Sequence, residues 1–156
     1  PPPRSTLFPN TTLFRSGTDL LIPAEGRLSG RFGLRRFFNG EERAPHSGLD
    51  VAVPTGTPVL APSDGQVLAV DDYFFNGKTV LIDHGKGLIT LLCHLESIGV
   101  KAGETVSRGQ RVGLSGSSGR ASGPHLHWGV VLNGAMVNPA LFVAPGKTPP
   151  GTERSK

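Results

Sequence analysis

Thr79-Val80-Leu81-Ile82-Asp83-His84-Gly85-Lys86-Gly87-Leu88-Ile89-Thr90-Leu91-Leu92-Cys93-His94-Leu95 holds two apolar runs rich in Val, Ile and Leu, split by a Gly-Lys-Gly turn. β-Branched and large apolar residues favour extended backbone, and glycine breaks between short runs are the punctuation of strands. The same pattern continues in both directions, with strands expected at 48–53, 58–61, 65–70, 79–83, 88–95, 111–115 and 125–132. Pro54-Thr55-Gly56, Ser63-Asp64-Gly65 and Asn76-Gly77 supply further turns. No window sustains helical periodicity over three turns, although the segment after Pro139 suits a short helical turn. An all-β barrel or sandwich is expected. Gly56-x-x-Val59 and Gly103-x-x-Val106 echo one another, as a duplicated β-motif would.

The bulk numbers agree with one soluble globular unit: 156 residues, 37% hydrophobic and 18% charged, with 22 glycines and 14 prolines serving many turns. No run is long and apolar enough for a bilayer-spanning helix. The single cysteine, Cys93, excludes an internal disulfide and leaves the redox compartment undecided. The net charge of +4 is concentrated where Arg31, Arg35, Arg36 and Arg43 approach His46. Such a face attracts an anionic polymer or is simply solvated. No aromatic residues alternate with these arginines as a single-strand nucleic-acid platform requires, so no nucleic-acid partner is expected.

Residues 1–19 read as a disordered or non-native leader. Thr6-Leu7-Phe8-Pro9 and Thr12-Leu13-Phe14-Arg15 nearly repeat without continuing any strand or helix pattern, and the run resembles translated sequencing-adapter read-through. A verified genomic copy of this stretch would refute that. The opening Pro1-Pro2-Pro3 lacks the basic start of a secretory signal, which points to a removed signal or a fragment. The domain itself is expected over 20–145, followed by a loose Pro- and Gly-rich tail over 146–156.

Chemistry concentrates in two short runs, Pro45-His46-Ser47-Gly48-Leu49-Asp50 and Gly123-Pro124-His125-Leu126-His127-Trp128. On a strand, residues two apart share a face, so His125 and His127 look into one site while Leu126 points to the core. His46 and Asp50 are an even step apart and share a face of an extended segment, Pro45 and Gly48 arguing against a helix. Two histidines and one aspartate form a three-ligand set for catalytic zinc, with one position open for water. Strand geometry leaves open which of His125 and His127 binds the metal.

His-x-x-x-Asp followed by a distant His-x-His resembles the lysostaphin/LytM-type zinc metallopeptidases, which cut peptide bonds in bacterial peptidoglycan. The resemblance runs from about Ile22 to Val143. It includes Arg31-Phe32-Gly33-Leu34-Arg35, Pro54-Thr55-Gly56-Thr57-Pro58-Val59, Asp83-His84-Gly85, Cys93-His94-Leu95 and Gly123-Pro124-His125-Leu126-His127. It implies a mostly antiparallel barrel-sandwich hybrid, with His46, Asp50 and His127 holding one Zn2+ and His94 and His125 catalytic. It also implies peptidoglycan stem peptides as substrate, a periplasmic, cell-envelope or extracellular location, no membrane insertion of this segment, and room for cell-envelope regulatory partners. The run 119–128, with Leu132-Asn133-Gly134 and Val137-Asn138-Pro139, is closer to the Gram-negative members. That favours cleavage of D-Ala–diaminopimelate cross-links over glycine bridges.

The other candidates carry less. His84, at a strand end, reads as structural. Cys93 neighbours His94, but strand alternation predicts that it faces away, as a small buried hydrophobe rather than half of a Cys–His dyad. Trp128 is expected in the core. Leu92, where relatives often carry an aromatic residue, is read as a packing position. The loop 113–119 lacks the Gly-Lys-Ser/Thr of a phosphate cradle and the last glycine of a nucleophile elbow, and is expected to be a flexible lip. A lipoyl- or biotinyl-type carrier would need flanked turn lysines that Lys78 and Lys86 do not provide. A non-catalytic activator of cell-wall amidases would have lost ligands that are all present here.

Overall fold

The computed structural model describes residues 19–143. Residues 1–18 of the expected leader, the tail and the last two residues of the 20–145 domain lie outside them. The described chain is almost entirely antiparallel β-structure with no α-helix, in agreement with the sequence. Twelve strands run in order: β1 Arg27–Gly30, β2 Arg36–Phe38, β3 Glu41–Arg43, β4 Leu49–Ala52, β5 Pro58–Leu60, β6 Gly65–Tyr73, β7 Gly77–Asp83, β8 Leu88–Ile98, β9 Thr105–Val106, β10 Arg111–Ser115, β11 Leu126–Leu132 and β12 Ala135–Val137. Five of them, β1, β9, β12 and the two strands of the β2–β3 hairpin, are too short or too polar for a period-two pattern to stand out in the sequence. The expected turn after Pro139 is a 3-10 helix, Pro139–Phe142, capped by the Asn138 side chain on the Ala140 amide.

The main sheet runs β1-β4-β11-β8-β7-β6-β9, with β10 bridging β8 and β5, and it does not close on itself. The sequence-distant strands β4, β11 and β8 lie side by side at its centre. Their alternation buries one face: Leu49, Val51, Leu92, Leu126, Trp128 and Val130 are at most 2% exposed. Leu126 and Trp128 are therefore core residues, as expected. Leu92 pairs across with both Trp128 and Val80, which makes it a packing position. The two echoed glycines are alike in structure, Gly56 and Gly103 having φ of 93° and 90°. Each opens a turn that only an unhindered backbone adopts readily.

The strongest irregularity is in β8. Between Leu92 and Leu95, β8 carries one more residue than the facing stretch of β7 from Lys78 to Val80. That extra residue is a β-bulge, and His94 sits in it with φ of 64°, a left-handed conformation uncommon outside glycine. The strand pattern alone does not reveal a bulge. Its consequence is that face assignments by simple alternation fail from His94 onward.

Candidate metal centre and active site

Asp50 of β4 lies directly across from His127 of β11. His46 precedes β4 in a segment held to the 31–34 turn, its amide donating to Leu34 O and its carbonyl accepting from Gly33 N. This anchoring bends the chain so that the ring reaches the Asp50 carboxylate. His46 Nε2 is 3.1 Å from Asp50 Oδ2, and His127 Nδ1 is 2.8 Å from Asp50 Oδ1. The two ring nitrogens are 3.3 Å apart. Ligating atoms of His46, Asp50 and His127 all lie within 4.8 Å of one another, the one such group of three among the described residues. Gly30 makes room for the carboxylate, since a Cβ there would stand 2.7 Å from Asp50 Oδ2.

The electrostatics suit a cation. Burial acts to raise the Asp50 pKa, but hydrogen bonds from His127 and His46 and their nearby charge outweigh it and hold the carboxyl well below the usual carboxylate range. His46 Nδ1 donates to Arg31 O at 2.8 Å, which orients the ring with Nε2 toward the cluster. Two imidazole nitrogens and one carboxylate oxygen, converging from one side with the other side open to a cleft, match what a four-coordinate zinc ion with an open position requires.

His94 and His125 stand beside the cluster, their ring centroids 4.7 Å apart. His94 Nδ1 donates to Ser118 O at 2.8 Å, and His125 Nδ1 donates to Gly123 O at 2.9 Å. A carbonyl only accepts, so each Nδ1 carries the hydrogen and each Nε2 is free to take a proton. Burial pushes His94 below its ordinary pKa, partly opposed by the Ser118 carbonyl, so it is neutral near neutral pH. His125 lies one residue before β11, in an isolated bridge to Gly116, and its Nε2 is 3.8 Å from Asp50. The cleft these groups share holds about 600 Å³ and is also walled by Phe75, Asn76 and Arg120.

Two sequence expectations are corrected. Cys93 does not lie on the face opposite the site: it is directly across from His127, in one cross-strand row with Asp50. The bulge at His94 is the reason, because it lets residues 93 and 94 both serve the same side. The thiol is nevertheless fully buried beside the Thr79 hydroxyl, and burial pushes its pKa up to about 12, so it forms no dyad with His94. The segment around Ser118 is not a free lip. Ser118 Oγ donates to Leu95 O and accepts from Lys78 N, while Ser118 O receives His94. Sequence reading missed Ser118, and nothing short of the fold could have shown it. His84 is buried away from the cluster, between Asp64 O and Thr90 Oγ1.

Residues 44–139 match the model of Peptidase family M23. The chain belongs to that family. The resemblance read from the sequence is thus borne out, and relatives with informative names agree. The chain is 44% identical over 118 residues to the peptidoglycan DD-endopeptidase ShyA of Vibrio cholerae, covering 75% of this chain and 27% of that protein. It is 38% identical over 130 residues to the DD-carboxypeptidase/endopeptidase Mpg of Neisseria meningitidis, covering 83% and 30%. A zinc-containing peptidase from Vibrio cholerae superposes with a TM-score of 0.71 at 32% identity, covering 76% of this chain and 38% of that one. This M23 chain therefore spans less than a third of the length of these two curated relatives.

Proposed function

We propose that this chain is a zinc-dependent endopeptidase of bacterial peptidoglycan that cuts D-Ala–diaminopimelate cross-links in the cell envelope. The observation that carries the reading is the placing of a His46–Asp50–His127 cluster and a His94–His125 pair in one open cleft. His46, Asp50 and His127 would hold the metal. When bound, zinc supplies Lewis-acid activation of water and of the scissile carbonyl. His94, neutral and hydrogen-bonded through Nδ1, accepts a proton at Nε2 from the attacking water. His125, with the same arrangement, donates to the leaving amine once protonated, or steadies the developing oxyanion. General acid–base assistance of this kind contributes roughly 100- to 10,000-fold. The D,D-bond preference is supported by the names of the relatives, ShyA and Mpg.

The test is mass spectrometry of muropeptides after the zinc-loaded protein meets diaminopimelate-type sacculi, with a chelator-treated control. Chelator-sensitive conversion of cross-linked dimers to monomers is expected. Intact dimers together with cleavage of glycine-bridged wall would move the specificity, and inertness on both would favour an amidase activator.

A further inference from the structure

The cleft has a wall that the metal and proton chemistry does not use. Phe74 and Phe75, at the β6–β7 turn, are 72% and 63% exposed, an unusual place to leave two large apolar rings. Their rings meet edge to face with centroids 4.8 Å apart. The Arg120 guanidinium carbon lies 5.9 Å from one ring centroid and 5.7 Å from the other, in cation–π range of both. Among the described residues, Arg120 pairs with no carboxylate and is the one Lys or Arg that lines the cleft.

This wall is built rather than loose. Arg120 N donates to Phe75 O at 2.9 Å, tying the loop to the β6–β7 turn. Gly119 allows the approach, since a Cβ there would collide with the Gly77 backbone and stand 2.6 Å from Phe75 O. The neighbouring Ser118 carbonyl positions His94. The backbone that carries Arg120 and the carbonyl that holds the proton-accepting imidazole therefore belong to one short loop.

We propose that Arg120, braced by Phe74 and Phe75, binds the free α-carboxylate of the residue on the leaving-amine side of the scissile bond. This rests on the peptidase reading above and narrows its substrate class. In a D,D-bond, whether to the D-centre of diaminopimelate or to a terminal D-Ala, the carbon next to the scissile nitrogen carries a free carboxylate. In a glycine bridge, that carbon leads into another amide. The planar guanidinium fork matches a carboxylate bidentately, and cation–π contact with two rings reduces the side-chain freedom lost on binding. Asp50, the carboxylate in the cleft, is engaged by His46 and His127 and leaves Arg120 without an acidic partner among the described residues. The dual activity in the name of the Neisseria relative, carboxypeptidase and endopeptidase, joins two bond types that share this carboxylate.

The experiment compares diacetyl-L-Lys-D-Ala-D-Ala with its C-terminal amide on the zinc-loaded full chain, measuring kcat/KM and, in parallel, binding by calorimetry. The acid should be preferred by roughly ten- to hundred-fold, the span of a charge-assisted hydrogen-bond pair. Arg120→Ala should erase that preference with zinc content unchanged, Arg120→Lys should restore part of it, and Phe75→Ala should weaken it. An acid/amide ratio that Arg120→Ala leaves intact overturns the proposal, as does a wild-type chain with no preference in either measurement. Acid-selective, Arg120-dependent binding without any cleavage would uphold the proposal while removing the peptidase reading.

Discussion

Replacing His94 by glycine should give a more stable protein than replacing it by alanine, the reverse of what a regular strand predicts. Both variants lose the imidazole, so the difference between them isolates the backbone. Left-handed backbone costs an L-residue about 1–2 kcal/mol, and His94 holds φ of 64°. Glycine escapes that cost but loses about 0.5–1 kcal/mol through its freer unfolded chain. The net advantage of His94→Gly over His94→Ala is about 0.5–1 kcal/mol, a melting difference of roughly 2–5 °C for a domain of this size. In a regular strand the same exchange would favour alanine by about 0.5–1 kcal/mol. Thermal unfolding followed by far-UV circular dichroism decides the sign. Turnover should fall equally in both variants, by roughly 100- to 10,000-fold, with zinc retained. A more stable alanine variant would refute the bulge, and zinc loss in both would make His94 a ligand.

Other consequences follow from the same structure. Asp50→Ala should abolish zinc binding, since it removes the one carboxylate that both His46 and His127 contact; elemental analysis of the purified variant checks this. Stability should fall as pH drops below about 6.5, because burial pushes the His84 pKa down and only the unfolded chain then takes up that proton. The slope from this one group is at most about 1.4 kcal/mol per pH unit, and His84→Gln should flatten the pH dependence of the urea midpoint. Cys93 should resist thiol reagents at pH 8 in the folded protein and react once unfolded, given full burial and a pKa raised to about 12. Rapid labelling of native protein would contradict that placement.

The strand pattern was legible because β8, β11 and β4 are apolar enough on one face for period-two alternation to register. The residue types at positions 46, 50, 125 and 127 likewise announced divalent-cation chemistry without any coordinates. Alternation could not rank His125 against His127, since an even step treats them alike. Register supports the proposed choice of His127: it sits within β11 opposite Asp50, whereas His125 precedes the strand against Gly116.

The sequence by itself therefore determined the all-β class, the family and the set of chemistry-bearing side chains, all of which depend on local pattern and residue type. Tertiary structure alone decided that His94 occupies a bulge, that Cys93 shares the face of His127, and that Ser118 and Arg120 are locked to the β6–β7 turn. Those outcomes depend on which distant backbone groups hydrogen-bond to which. A one-residue mismatch between paired strands reverses side-chain direction, and no short-range periodicity records it.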